Sequence, residues 1–411
     1  MIDRYSVAGY RSFYGRADVE LAPLTLVYGR NSSGKSALVR ALPLLHASMS
    51  FRGPQPLDLG APVVRGTPYA ELASLDSDER LMSWWVAAGQ FELEVSIRDL
   101  APSAGQVVDV LRYRSADREG SIRWTLQDDV YEVVEDDQRR SLKLRFNGLT
   151  PKDVALDGID AGIAPIVDTT IEWLCAKREA SGESAEPYTL TAGEHRGRNA
   201  RVRLALDRRK GSRLLAWVDR CLRRVTDHRL EITETGPGVE AFVLRTGKGD
   251  RGPLVRLANT GEGVAHVLSV LEALGRAVVE PGDRVHVIEQ PELHLHPRAE
   301  AELGMVMAGA AEGTATDRFL IETHSDNLLL GVQLAIAEGR LDPKRVRLCL
   351  VDQDEKGRST VELGRFDADG AIDVGVRRPF EEGTELARRL VATRLTRQSG
   401  AKGGAERAGS K

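Results

Sequence analysis

The spacing of apolar positions divides the chain into stretches of different type. Leu24–Tyr28 is a short apolar, β-prone run that ends at a glycine-rich turn, and residues 36–42 after the turn have helical composition. From about residue 91 apolar and polar residues alternate, with Phe91, Leu93 and Val95 as the first apolar members. This alternation predicts strands of a half-buried antiparallel sheet.

Later in the chain the pattern favours alternating helices and strands. Apolar residues at helical spacing over 264–279 precede three apolar runs, at 285–288, 319–321 and 346–351, which helical stretches separate. This order predicts parallel strands joined by crossover helices. The expected fold class is therefore α/β, a mixed sheet with flanking helices and an inserted α+β region.

The same changes of pattern set the expected domain limits. Residues 1–90 and 225–375 would form the two halves of the α/β unit, and residues 91–224 would form the inserted α+β region. Residues 376–411 would form a short helix and a flexible basic tail. A length of 411 residues exceeds one ordinary core and agrees with a large insertion.

Composition narrows the functional classes. The net charge of −4 gives no global signal for nucleic acid, and no apolar run is long enough to span a bilayer. The first residues lack the apolar core of a secretory signal. The three cysteines are far apart and do not have metal-ligand spacing. We therefore expect a cytoplasmic protein that does not act at a membrane.

The strongest chemical pattern is a complete G-x-x-x-x-G-K-[ST] sequence between an apolar strand and a helix. Its residues are Gly29, Arg30, Asn31, Ser32, Ser33, Gly34, Lys35 and Ser36. Glycines let successive backbone N–H groups point at phosphates, and the helix that begins near Lys35 adds the positive end of its dipole. Lys35 is expected to reach the β- and γ-phosphates of ATP, and the Ser36 hydroxyl to ligate Mg²⁺.

Two later strands also end in polar residues. The run at 285–288 delivers Glu289 at the carboxyl end of an apolar strand, a position suited to an acid on the Mg²⁺ side. The run at 319–321 leads in the same way to a polar cluster that contains His324. His324 is a candidate to sense or polarise the γ-phosphate.

In their order along the chain, these motifs resemble those of ABC-type ATPases of the SMC/RecF/OLD (overcoming lysogenization defect) group. They read G-R-N-S-S-G-K-S, N-T-G-E-G, V-I-E-Q-P-E-L-H-L-H-P and I-E-T-H-S-D. The string from Glu289 to Pro297 is similar to the extended Walker B motif of OLD-like AAA-family ATPases from prokaryotic defence and repair operons. The resemblance covers residues 1 to about 50 and about 225–375, and it implies an ABC-type P-loop NTPase head.

The resemblance also implies roles for single residues. Glu289 would be the Walker B acid and His324 the switch histidine. Gly261, Glu262 and Gly263 lie where such proteins carry the signature motif, which caps the γ-phosphate held by the other subunit. A helix N-terminus with glycines suits that task chemically.

Departures from the family pattern bear on turnover. Many ABC ATPases have an Asp-Glu pair in Walker B, and the second acid polarises the attacking water, whereas this chain has Glu289 and Gln290. Gln290 cannot accept a proton, although it is able to orient a water, and Glu292 is the nearest alternative base. The signature also lacks the usual Ser-Gly-Gly. We expect slow ATP hydrolysis, supported by Glu292 or His324.

The expected function is an ATPase switch. The resemblance implies a homodimer with ATP between the two heads, which controls a partner effector protein or a nucleic-acid clamp in anti-phage defence or DNA repair. The alternative is an ATP-gated scaffold or DNA-binding regulator with negligible turnover, an alternative that Gln290 motivates.

Three further patterns leave alternatives open. Arginines crowd between residues 196 and 224, either as a solvated face or as a patch for DNA or RNA phosphates. Asp352 and Asp354 resemble the metal site of Toprim nucleases, but the chain after them is too short for a whole Toprim unit, so we expect no nuclease activity. His294 and His296 have a spacing that metal sites use, and we expect them in a loop that packs across the dimer.

Overall fold

Two large sheets, a two-stranded sheet, a three-stranded sheet and the helices around them make up the part of the chain that the computed structural model describes. That part comprises residues 1–64, 66–74, 80–100, 105–135, 138–152, 164, 166–176, 198–236, 239–246 and 252–373. All of it belongs to one unit, Met1–Asp373. No helix within it is long and apolar enough to cross a lipid bilayer.

The elements are numbered in chain order. The strands are β1 Arg4–Ala8, β2 Ala17–Glu20, β3 Leu24–Tyr28, β4 Leu81–Ala88, β5 Phe91–Asp99, β6 Gln106–Arg114, β7 Glu119–Gln127, β8 Val130–Glu135, β9 Gln138–Lys143, β10 Phe146–Asn147, β11 Thr150–Pro151, β12 Thr170–Leu174, β13 Arg229–Gly236, β14 Val239–Arg245, β15 Leu254–Arg256, β16 Arg284–Glu289, β17 Arg318–Thr323, β18 Val346–Gln353 and β19 Ser359–Gly364. The α-helices are α1 Lys35–Ser50, α2 Tyr69–Leu72, α3 Arg198–Lys210, α4 Arg213–Thr226, α5 Glu262–Val279, α6 Pro297–Gly313 and α7 Asp326–Ala337. Short 3₁₀ turns lie at Leu257–Asn259 and Pro343–Arg345.

The first large sheet is antiparallel throughout. Its strand order is β2-β1-β4-β5-β6-β7-β8-β9. Along β5, Phe91, Leu93 and Val95 are buried, whereas Glu92, which lies between the first two, is exposed. The antiparallel sheet predicted from this alternation is confirmed, because burying every second side chain on one face leaves the other face to water.

The second large sheet, which we call the core sheet, is mixed. Its order is β12-β16-β17-β3-β18-β19, with every pair parallel except β18 and β19. Helix α6 connects β16 to β17, and α7 follows β17 before β18. The predicted parallel strands with crossover helices are confirmed, and so is the α/β fold class of a mixed sheet with flanking helices.

Helix α1 is buried between strands of both large sheets. It contacts β1 of the antiparallel sheet and also β12, β16 and β17 of the core sheet. Leu38, Leu42 and Leu45 on α1 belong to one apolar cluster with Trp84 and Val287. A helix that is apolar on most of its circumference requires cover on more than one side, and the two sheets provide that cover.

The sheets cross the predicted domain limits. β4 and β5 lie on either side of the predicted limit between residues 90 and 91 and pair directly along their length. β12 falls inside the predicted insertion, 91–224, but pairs in parallel with β16 of the core sheet. The limits 1–90, 91–224 and 225–375 therefore do not coincide with sheet boundaries and stay a prediction, and the predicted tail, 376–411, lies outside the described residues.

A buried ion network ties α5 to the core sheet. Arg276 on α5 donates to Glu172 on β12 over 2.7 Å and lies 3.2 Å from Glu272. His286 on β16 lies 3.2 Å from Glu172 and 3.0 Å from Asp317. Burial raises the pKa of Glu172, but the hydrogen bonds with His286 and Arg276 lower it by more. The pKa of Glu172 is therefore well below its usual range. The network therefore fixes α5, the helix that begins at the predicted signature motif, against the core sheet through charge.

Removing the cation of this network is expected to destabilise the fold. Arg276→Met would leave Glu172 buried beside Glu272 without its main counter-charge, which costs about 3–5 kcal/mol in comparable buried pairs. Arg4→Ala is the matched control, because Arg4 and Glu92 form an ion pair of 3.1 Å with both side chains about half exposed. Such a surface pair contributes about 0–1 kcal/mol. Urea unfolding followed by tryptophan fluorescence measures both changes, and equal effects of the two variants would contradict the assigned role.

Candidate functional site

The turn between β3 and α1 has the shape that the P-loop pattern predicts. Gly34 adopts a φ of 104°, a left-handed conformation that favours glycine. A Cβ atom at this position would lie 2.6 Å from Ser359 Oγ and 2.8 Å from Ser12 Oγ, which is closer than van der Waals contact allows. Helix α1 begins at the next residue, so its unpaired N–H groups and positive dipole end face the turn.

Lys35 is held over this turn. Its Nζ donates to the carbonyl oxygens of Gly29, at 2.7 Å, and Arg30, at 2.6 Å. The residue is only 4% exposed. Burial lowers the pKa of Lys35, and the charges of Glu322 and Glu292 oppose this effect only in part. The loop therefore carries a desolvated positive charge whose present partners are neutral carbonyl groups and two nearby acids.

Ser36 contacts an acid that the motif analysis did not single out. Its Oγ donates to Oε1 of Glu322 over 2.6 Å. Glu322 lies near the carboxyl end of β17, in register with Val27 of the adjacent β3. Burial raises the pKa of Glu322 to about 7; the hydrogen bond from Ser36 opposes this rise, and the charge of Glu289 adds to it.

Glu289 lies where the sequence predicts, at the end of β16, but both of its carboxylate oxygens are engaged by other side chains. Arg40 of α1 donates to them through Nε and Nη2, each over 2.6 Å. The indole Nε1 of Trp173 donates to Oε1 over 2.7 Å. Burial lowers the pKa of Arg40, but the hydrogen bonds and charge of Glu289 raise it above its ordinary value.

Glu292 and His324, the two candidates to support hydrolysis, lie next to each other. Oε1 of Glu292 accepts hydrogen bonds from Thr323 Oγ1 at 2.7 Å and from the backbone N–H of His324 at 3.2 Å. Nδ1 of His324 lies 3.5 Å from the same oxygen. Burial raises the pKa of Glu292, and these hydrogen bonds oppose the rise. Gln290 has a positive φ of 42° and donates its backbone N–H to the Glu322 carbonyl over 2.8 Å.

The predicted signature residues form a second group with the H-x-H loop. Gly261 is the N-cap of α5, and a Cβ at Gly263 would lie 2.4 Å from the carbonyl oxygen of His294. Nε2 of His294 is 3.3 Å from a carboxylate oxygen of Glu262. His296 caps α6 by accepting the N–H of Arg298 over 3.4 Å. A cavity of about 370 Å³ opens beside the glycines and both histidines.

The geometry gives little support to a second metal site or to an arginine patch for nucleic acid. Within the described ranges, no three His, Cys, Asp or Glu side chains are grouped so that they would hold a metal ion. Asp352 lies near the end of β18, and Asp354 lies in the turn between β18 and β19. Of the crowded arginines, Arg203 pairs with Glu272 over 2.6 Å and Arg224 with Glu302 over 2.6 Å. Binding of DNA or RNA stays a prediction.

The residues around Lys35 fit a triphosphate and its metal ion. Three buried oxygen atoms close to the turn, Ser33 Oγ, Glu292 Oε2 and Glu322 Oε2, have no hydrogen-bond partner in the described part of the chain. Buried oxygens without partners are costly unless a ligand or ion meets them. A hydroxyl beside the loop suits a phosphate oxygen, and carboxylate oxygens beside Ser36 suit Mg²⁺.

Glu322, Arg40 and Trp173 were not predicted from the sequence as residues of the site. Glu322 stands inside the I-E-T-H-S-D string, so the motif marked its neighbourhood but not its contact with Ser36. Arg40 lies one helical turn beyond the P-loop motif, and Trp173 lies on β12, far from every motif in sequence. The strand order was the missing information, since it places β17 directly beside β3 and β12 directly beside β16.

No family model and no curated protein matches the chain. Among solved structures, it is similar to an SMC head bound to the C-winged helix domain of ScpA, with 11% identity, 88% of this chain and 97% of that chain covered, and a TM-score of 0.48. It is also similar to an SMC head with an extended coiled coil, bound to the C-terminal domain of ScpA derived from Pyrococcus furiosus. Here the identity is 11%, the match covers 88% of this chain and 96% of that chain, and the TM-score is 0.46. For the SMC head from Thermotoga maritima the identity is 10%, 88% of this chain and 98% of that chain are covered, and the TM-score is 0.39.

Proposed function

We propose that this protein is an ABC-like ATPase that binds ATP with Mg²⁺ and hydrolyses it slowly. The observation that carries the proposal is the P-loop turn, in which buried Lys35 and the N-terminus of α1 face a group of buried carboxylates. An anion with a divalent cation satisfies both halves of this charge arrangement. When bound, Mg²⁺ would neutralise charge that develops on the transferred phosphoryl group.

Each residue of the site has a task in this proposal. The backbone N–H groups from Gly29 to Gly34 bind phosphate oxygens, and Lys35 exchanges its carbonyl partners for the β- and γ-phosphates. The Ser36 hydroxyl ligates Mg²⁺. Gln290 orients the attacking water, and Glu292 accepts its proton, because burial raises the pKa of Glu292 and so makes its carboxylate a stronger base.

Dimerisation through ATP is the second part of the proposal. The N-terminus of α5, with Gly261 at its cap and open space around it, is suited to cap a γ-phosphate that a second copy of the chain presents. We place the dimer in the cytoplasm, where it controls a partner effector or a nucleic-acid clamp. The OLD-type assignment and a role in anti-phage defence or DNA repair rest on the motif resemblance alone.

The alternative function is an ATP-gated scaffold with negligible turnover. Gln290 favours it, because this side chain cannot take the proton of the attacking water. The two functions differ in one measurable property, the steady-state release of phosphate by protein that binds ATP tightly.

Replacing the proposed base is expected to slow hydrolysis without weakening ATP binding. Glu292→Gln keeps the size of the side chain but removes its ability to take a proton, and general-base catalysis typically contributes about 10²–10⁴-fold in rate. Phosphate release and mant-ATP affinity are measured in parallel, with the exposed Glu362→Gln as control. A wild-type rate in Glu292→Gln would exclude Glu292 as the base, whereas a wild-type protein that binds ATP but releases phosphate at background would favour the scaffold.

A non-hydrolysable ATP analogue is expected to convert the protein from monomer to dimer. Size-exclusion chromatography with light scattering measures the mass with and without the analogue. Gly261→Glu is the matched variant. Among the described residues, apart from Gly261 and its chain neighbours, none has an atom within 4 Å of a Cβ at this position, so the larger side chain has space and its carboxylate repels the partner's γ-phosphate. This variant should still bind the analogue but remain a monomer. An unchanged wild-type mass, or a variant that dimerises normally, would contradict the proposed interface.

A further inference from the structure

Two carboxylates are candidates for the acid that binds the divalent cation beside the P-loop. Glu289 ends β16 and fits the motif expectation, and Glu322 lies at the same level on β17, since the two residues are register partners. β17 lies between β16 and β3, the strand that leads into the P-loop. Neighbouring strands are about 4.8 Å apart, so Glu322 is one strand nearer to β3 than Glu289 is.

The contacts of Glu322 leave it ready for a cation. Oε1 accepts the hydroxyl proton of Ser36 over 2.6 Å, which directs the lone pairs of the Ser36 oxygen away from the carboxylate. Oε2 is buried and has no hydrogen-bond partner in the described residues. The residue as a whole is 2% exposed, so water cannot easily compensate that oxygen.

The contacts of Glu289 have the opposite effect. Arg40 pairs with both oxygens in a two-pronged hydrogen bond, and Trp173 donates to one of them. The carboxylate is 1% exposed, and the guanidinium that neutralises it belongs to the P-loop helix itself. A buried carboxylate with this partner is strongly held, because freeing it would leave two buried charges unpaired.

We infer that Glu322, together with Ser36, holds the divalent cation of the nucleotide, and that Glu289 is a positioning residue that locks α1 to β16 through Arg40. The inference rests on the proposed ATP site, and it assigns the binding of the divalent cation at that site to a residue outside the Walker B motif. Glu322 sets the orientation of the Ser36 hydroxyl and offers its second oxygen to the cation or to a water that the cation carries.

The test compares Glu322→Gln and Glu289→Gln, with Glu362→Gln as the exposed control. Binding of Mn²⁺, a probe that prefers the same oxygen ligands as Mg²⁺, is measured by electron paramagnetic resonance in the presence of ATP. Binding of mant-ATP is measured separately in Mg²⁺ and in EDTA. Unfolding midpoints identify variants that fail to fold, and Glu322→Asp, which keeps the charge, is the second variant for that case.

Glu322→Gln is expected to weaken Mn²⁺ binding by about 10–100-fold, the range found when groups that orient or support a metal are removed. Its mant-ATP affinity in EDTA should match the wild type, and the gain from Mg²⁺ should be largely lost. Glu322→Asp should recover part of the Mn²⁺ affinity, and Glu289→Gln should keep it while lowering the unfolding midpoint.

Three results would overturn the inference. Wild-type Mn²⁺ affinity in both Glu322 variants would exclude Glu322 as a residue that binds the cation. A large loss in Glu289→Gln with an unchanged midpoint would return the role to the Walker B acid. A wild-type protein that binds no mant-ATP either in Mg²⁺ or in EDTA would remove the proposed ATP site, and this inference with it, which distinguishes the two failures.

Discussion

The burial of α1 on both sides is the constraint from which the site follows. Because the helix contacts β1 of one sheet and β16 and β17 of the other, its axis and its first turn cannot shift independently of either sheet. The hydroxyl of Tyr5 adds a direct tie by donating to the Leu38 carbonyl over 2.9 Å. The N-terminus of α1, Lys35 and Ser36 are therefore presented at a fixed place beside the ends of the core strands, where parallel α/β sheets bind their ligands.

Charge is arranged around that fixed point in two layers. Near the P-loop, Lys35 and Arg40 face three buried carboxylates, those of Glu289, Glu292 and Glu322. Deeper in the fold, Arg276 and His286 bind α5 to the core sheet through Glu172. Buried charges of this kind are costly alone and stabilising only with their partners. The same network that fixes α5 also fixes the helix N-terminus proposed to meet the second subunit, so both halves of the proposed ATP sandwich have rigid supports.

The sequence predicted what depends on neighbours along the chain. Local patterns along the chain were sufficient for the P-loop turn, the buried β3 and the alternation in β5. In a strand, the period of the backbone decides which residues face the core. The closeness of Glu292 and His324 was not predicted, because their motifs are separate in sequence and the pairing of β16 with β17 brings them together. The partners of Glu289 and Ser36 were not predictable in this way, because Arg40, Trp173 and Glu322 reach them through strand order and register. β12 shows the same limit, as a core strand hidden inside the predicted insertion.

The central claim is that a buried lysine over a glycine turn binds the phosphates of ATP, and Lys35→Ala tests it most directly. Titration calorimetry with Mg-ATP compares this variant with the wild type and with Lys356→Ala, whose lysine is exposed on the turn between β18 and β19. A hydrogen bond to a charged group contributes about 1.5–3 kcal/mol, so Lys35→Ala should weaken ATP binding by roughly 10–100-fold. Lys356→Ala should bind as the wild type does. Equal affinity for ATP in Lys35→Ala and the wild type would contradict the account.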